Sequence, residues 1–192
     1  MASRPKAFLT PEAYLALERR AETRSAYHDG TIVAMAGASR EHNLIRGNTY
    51  RELSTQLRRG PCRVVASDMR VWIPTHRVYT YPDTVAACGP PQFQHGQPDI
   101  LLNPALIIEI LSPSTEAYDR GRKFAQYRTI PTLVEYVSVA QDEARIDYYR
   151  REPGGPWFIG DARGREATLA LTIGDGCTLA LADIYERIEL PG

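Results

Sequence analysis

The 192-residue sequence has almost no lysine: of its 23 basic residues, only Lys6 and Lys123 are not arginine. It has no net charge, because 23 acids balance them. That excludes a whole-molecule attraction for nucleic acid and leaves any such binding to a local patch. No apolar run approaches the roughly 20 residues that a membrane-spanning helix needs, so no membrane association is expected. After the basic start at Met1 to Lys6, only Ala7, Phe8 and Leu9 precede Thr10, Pro11 and Glu12. A signal peptide needs a longer apolar stretch, and a cytoplasmic protein is expected. Cysteine is scarce as well. Cys62, Cys88 and Cys177 are odd in number and lack ligand spacing, which predicts reduced, buried side chains. His28, His76 and His95 are scattered and form no ligand set. A glycine-rich phosphate loop, a nucleophile elbow and a zinc signature are all missing.

What is present is the composition of an ordinary globular domain, 43% hydrophobic and 24% charged. Residues 1–192 are read as one domain, long enough to bury a core without staples. Thr10-Pro11-Glu12 starts a helix running to about Glu22. His28-Asp29-Gly30 is a turn, and Thr31 to Met35 a short strand. Ser39 caps a second helix that ends at Gly60-Pro61. Cys62 to Ile73 reads as one long strand, and Tyr79 to Cys88 returns as its partner. Gly89 to Pro104 reads as a loop. Ala105 to Leu111 has strand length, and a helix capped within Ser112 to Thr115 extends to about Arg128. Leu133 to Val139 and Arg145 to Arg150 form a hairpin, followed by strand-like Trp157 to Ile159 and Thr168 to Ile173. A short helix, about Leu181 to Glu186, closes the chain. The expected class is α/β (α+β): a central mixed sheet flanked by helices, with a β-rich C-terminal extension.

Two acids stand where acids are unwelcome. Alternation places Tyr81, Asp83 and Val85 on one strand face. In the second strand it places Ala105, Ile107, Glu109 and Leu111 on one face and Leu106, Ile108 and Ile110 on the other. Glu109 thus lies inside a strand that is buried on both sides. A lone carboxylate there costs several kcal/mol unless it is paired. The bland partner is an arginine, Arg70 or Arg120. The functional partner is a hard divalent cation shared with Asp83. A carboxylate kept for a metal also predicts that Glu109→Gln is neutral or stabilising without metal.

A nuclease pattern of Pro-Asp followed by Asp/Glu-x-Lys would put a lysine at position 111, which is Leu111 here. The next helix offers Lys123, at the edge of an apolar stripe through Ala117, Gly121, Phe124 and Ala125 and one turn from Asp119 and Tyr127. A surface pair with Asp119 is the simple explanation. Yet a chain that uses arginine nearly everywhere has lysine here. Lysine alone of the two can lose its proton when buried. His42, with Glu41, opens the second helix; it either lends an imidazole to the site or packs with Ile45 and Thr49. Pro98-Asp99 is a rival to Pro82-Asp83, but it lies in the Gln- and Pro-rich segment. Arg120, Arg122 and Arg128 form a basic cluster near the proposed site, where a phosphate backbone would lie.

The stretch His28-Asp29-Gly30 through Met35-Ala36-Gly37, Ser39 and His42 resembles a large bacterial family. So do Tyr81-Pro82-Asp83, Ile108-Glu109-Ile110-Leu111-Ser112-Pro113-Ser114-Thr115, Asp119-Arg120, Lys123, Tyr127 and Glu135-Tyr136. This is the Uma-type family of restriction endonucleases, in the restriction-endonuclease-like PD-(D/E)XK superfamily, and the likeness spans about Leu9 to Leu190. The resemblance implies a restriction-endonuclease-like core, Asp83 and Glu109 as metal ligands and Lys123 as a displaced catalytic lysine.

The expected activity is a metal-dependent endonuclease acting on nucleic acid, with DNA the first choice and a homodimer one arrangement. Asp83, Glu109 and the Ile110 backbone carbonyl would hold magnesium or manganese. Lys123 would orient or deprotonate the attacking water, or stabilise developing charge. The competing expectation is a nuclease-fold module that binds nucleic acid or protein with little or no turnover.

Overall fold

The computed structural model describes residues 8–35, 37–66, 68–112 and 119–191, with the side chains of Asp119 and Arg120 outside that description. The expected class holds: helices flank mixed sheets. The strands, however, divide between two six-stranded sheets and a small two-stranded one.

Helix α1 (Pro11–Glu18) starts where Thr10 accepts a hydrogen bond from the Ala13 N–H and proline fills the first helical position. It stops four residues short of Glu22. Strands β1 (Ser25–His28) and β2 (Thr31–Ala34) form a hairpin around Asp29-Gly30, where both residues have positive φ. The first half of that hairpin carried too short an apolar signal to be read as a strand. Helix α2 (Arg40–Leu57) is capped by Ser39, whose hydroxyl accepts from the His42 N–H.

The next two strands depart most from expectation. The run from Cys62 splits into β3 (Cys62–Ala66) and β4 (Arg70–Ile73); its partner splits into β5 (Val78–Thr80) and β6 (Thr84–Cys88). Strand β3 pairs with β6 in the second sheet, and β4 with β5 in the first. One long hairpin therefore bends as a ribbon from sheet to sheet, a known way of making a corner between packed sheets. Pro82 lies at the bend, where its missing N–H takes nothing from a ladder. Cys62 and Cys88 face each other in register and form a disulfide. This corrects the expectation of three reduced cysteines: the pairing is invisible until the strands are aligned. Cys177 alone is free and buried.

The Gly89 to Pro104 segment is also more ordered than expected. It holds β7 (Phe93–Gln94) and β8 (Gln97–Leu101), turned by Gly96 at positive φ. Strand β8 runs parallel to β4 and completes the first sheet. Strand β9 (Leu106–Ile110) lies between β6, antiparallel, and β10 (Glu135–Val139), parallel. Strands β11 (Arg145–Arg151) and β12 (Trp157–Arg163) extend the second sheet to its edge. Between β9 and β10 the described chain has a π-helical turn at Asp119–Lys123 and helix α3 (Phe124–Tyr127). The expected helix start at Ser112 to Thr115 falls mostly outside the described residues. Strands β13 (Thr168–Leu171) and β14 (Cys177–Ala180) pair, and α4 (Leu181–Ile184) follows.

Strand β9 is buried throughout, with its two faces in different cores. Leu106, Ile108 and Ile110 pack with α2, β14 and α4 residues such as Ile45, Leu179 and Ile184. Ile107 packs on the other side with Val71, Val78, Tyr127 and Tyr136, between the two sheets. A third cluster, Tyr14, Tyr27, Tyr79 and Ile100, seats α1 on the far face of the first sheet. Among the described residues no helix is long and apolar enough to cross a membrane.

Candidate active site

Strand alternation puts Glu109 on the face of Ile107, toward the core between the sheets. Glu109 is 3% exposed, so its charge needs company. Lys123 supplies it from the π-helical turn: Nζ lies 3.1 Å from Oε2, with the lysine side chain 20% exposed. Such turns insert one residue, re-aim the side chains after it and recur at functional sites. One helical turn later, Tyr127 donates its hydroxyl to Oε1 at 2.7 Å. The tyrosine is fully buried in the core, and burial, with the Glu109 charge second, pushes its phenol well above its usual range. It therefore stays a protonated donor. The Thr80 side chain on β5 lies beside its oxygen.

Asp83 sits in the bend just before β6 rather than within a continuous strand, as the alternation argument had it. Its place follows from the bend. In the antiparallel pairing of β6 with β9, Thr84 is opposite Ile108, and Asp83 comes next along the same edge. There β6 has ended as a ladder partner, and the Asp83 carboxylate takes over, accepting the Ile110 N–H at 2.8 Å. A strand residue turns its N–H and C=O to the same side. The Ile110 carbonyl is thereby turned toward the edge where Asp83 lies, while Leu111 N–H bonds Val139 O on β10.

His42 approaches Asp83 from the first turn of α2, with Nε2 at 3.3 Å from Oδ2. Of its two expected placements, the imidazole takes the one beside the acid. Its Nδ1 is buried and makes no hydrogen bond among the described residues. The Ser39 hydroxyl that caps α2 also reaches Gln141, in the turn after β10, so the helix start is tied to the sheet end carrying the acids.

Of the two expected arginine partners, Arg70 lies elsewhere. Arg70 bonds Asp99 and Tyr81, and Tyr81 donates to Glu18 at 3.0 Å, forming a separate, partly buried network. That network engages the rival aspartate, Asp99, and takes Arg70 away from Glu109. Arg120 and the Asp119 side chain lie outside the described residues. His28, read as one of the scattered histidines, shares the register of Val78, a residue of the core between the sheets. Burial, followed by the charges of Arg122 and Lys123, pushes its imidazole below the usual value. The sequence carried two clues to Tyr127, its place one turn beyond the unusual lysine and its part in the family resemblance. It carried none for Thr80, whose role depends on how the two sheets meet.

No group of three or more His, Cys, Asp or Glu side chains gathers among the described residues as a metal cage. The donors that fit a hard divalent cation are oxygens: the Asp83 and Glu109 carboxylates and the Ile110 carbonyl. The acids suit it in charge, since one is deeply buried and the other has an oxygen that takes no hydrogen bond among the described residues.

Residues 11–182 match the Uma2 family, described as “Putative restriction endonuclease”. The chain belongs to the Uma2 family. Two relatives from Synechocystis sp. extend the likeness at the sequence level. “Uncharacterized protein slr1290” is 38% identical over 157 residues, covering 82% of each chain. “Uncharacterized protein sll1609” is 34% identical over 161 residues, covering 84% of this chain and 91% of the relative. A crystal structure from Anabaena variabilis, described as a “putative nuclease belonging to DUF820”, superposes with a TM-score of 0.72. It covers 92% of this chain and 97% of its own, at 17% identity, and so establishes a shared fold. The acids, lysine and tyrosine described above all lie within the segment that matches Uma2.

Proposed function

We propose that this Uma2 protein is a divalent-metal-dependent endonuclease that hydrolyses phosphodiester bonds of nucleic acid, DNA in the first instance. The observation that carries the reading is the lysine on the buried glutamate: Lys123 Nζ is 3.1 Å from Glu109 Oε2. The lysine absent from position 111 is thus supplied from the following helical turn, to the same strand. The Asp83 and Glu109 carboxylates, with the Ile110 carbonyl, would hold magnesium or manganese. When bound, such a cation lowers the pKa of a water and offsets charge on the scissile phosphate.

The chain's own groups do the rest. Asp83 is held by the Ile110 N–H and His42, which fixes its direction before any ligand arrives. The Lys123 side chain is partly exposed: as an ammonium it can orient an attacking water or offset developing charge, and once it has given up its own proton it can take the water's. Arg122, exposed beside Lys123, offers a charge for a neighbouring phosphate in a molecule with no net charge of its own.

The test is cleavage of supercoiled plasmid and short duplexes with magnesium or manganese, with Asp83→Ala as the blank. Metal-dependent nicking by the wild type and none by the blank is expected. Binding without cleavage by the wild type, across metals and substrates, would transfer the proposal to a nuclease-fold binding module. The buried Leu111, where the Asp/Glu-x-Lys nuclease pattern has lysine, is the observation favouring that second reading.

A further inference from the structure

Glutamate has three rotatable side-chain bonds, and a catalytic carboxylate gains nothing from that freedom. In this site each Glu109 oxygen has its own donor. Oε2 faces the Lys123 amine at 3.1 Å, and Oε1 accepts from Tyr127 at 2.7 Å. Both donors come from one short stretch of chain, four residues apart and so on one helical face. Tyr127 is itself anchored. Its ring packs 5.6 Å from Tyr136, the residue beside Ile107 on β10. Beside its oxygen lies the side chain of Thr80, a buried residue of β5. Contacts therefore lead from Thr80 on the first sheet, through Tyr127 on α3, to Glu109 on the second.

We infer that Tyr127, backed by Thr80, is a positioning residue that fixes the Glu109 carboxylate with Oε1 occupied and Oε2 presented to a divalent cation. The inference rests on the metal-site reading above. It assigns Tyr127 a job that packing alone does not require, since phenylalanine would fill the same volume in this aromatic cluster.

The experiment is titration of the intact protein with Mn2+ alone, by calorimetry, with thermal unfolding measured in parallel. Tyr127→Phe is expected to weaken Mn2+ binding about 10-fold, the usual scale for losing a group that orients a ligand. Thr80→Val is expected to weaken it in the same direction by a smaller factor. In a Glu109→Gln background, Tyr127→Phe should cause no further loss. Unchanged Mn2+ affinity in Tyr127→Phe, with wild type binding normally, would overturn the inference while leaving the metal site standing. If Tyr127→Phe does not fold, unchanged affinity in Thr80→Val overturns it equally. Equal losses with and without Glu109 would also overturn it, because the effect would then not pass through the carboxylate. Failure of the wild type to bind Mn2+ at all would instead remove the metal-site reading on which the inference stands.

Discussion

Lys123→Met in the metal-free protein removes the ammonium 3.1 Å from a carboxylate that is 3% exposed. Tyr127 remains as a neutral donor. The loss is then at most the cost of Glu109 taking up a proton on folding. At about 1.36 kcal/mol per pH unit above an ordinary glutamate value of about 4.3, this costs about 3.7 kcal/mol at pH 7 and about 1 kcal/mol at pH 5. At that limit the folded variant holds a proton that the unfolded chain has released, so its stability falls as pH rises above about 4.3. Glu109→Gln behaves differently. Its amide can still accept from Tyr127, but its NH2 points at the Lys123 ammonium, donor against donor. Lys123 is one-fifth exposed and can turn to water, so the loss is about 1.5–3 kcal/mol, the worth of one charged hydrogen bond. The sequence had suggested a neutral or stabilising Glu109→Gln. The lysine reverses that sign, because it already neutralises the buried charge. Denaturant unfolding from pH 5 to 8, in chelator, reads all of this. The double variant Glu109→Gln/Lys123→Met should lose less than the two singles summed. A Lys123→Met protein whose loss is flat with pH would refute the pairing.

The same geometry sets three further expectations. Lys123→Arg keeps the charge but sets a wide guanidinium beside the water, so cleavage should fall by most of its rate while Tm stays within a few degrees; wild-type rates would remove the lysine from the chemistry. Asp99→Asn loosens the Arg70 network, which is separate from Glu109, and should leave metal-dependent cleavage near wild type; loss matching Asp83→Ala would reopen the choice between the two Pro-Asp pairs. Reducing the Cys62–Cys88 bridge, which spans 26 residues, should cost about 3.5 kcal/mol by chain entropy, read as a lower Tm in reductant.

What was legible in the sequence is what local chemistry decides. Thr10-Pro11 and Ser39 marked helix starts, and the caps form as read. The strand around Glu109 stood out because six apolar neighbours surround one acid. Lys123 stood out because the chain otherwise uses arginine. The split of Cys62 to Cys88 into two sheets was not legible, since alternation continues through Tyr81 and Asp83 and only packing decides where a ribbon bends. Pro82 was the one local sign. The β7–β8 hairpin was hidden by its Pro and Gln content, although Gly96 marked its turn. Thr80 and the Cys62–Cys88 bridge share a reason for being missed: each depends on a partner set by tertiary pairing, across sheets in one case and across strands in the other.

The most direct test of the central claim is the anomalous difference density of a crystal soaked in Mn2+. The account predicts one peak within bonding distance of Asp83, Glu109 and the Ile110 carbonyl, with Lys123 still beside it. A soaked crystal with no peak there, and Lys123 still closed on Glu109, would contradict it.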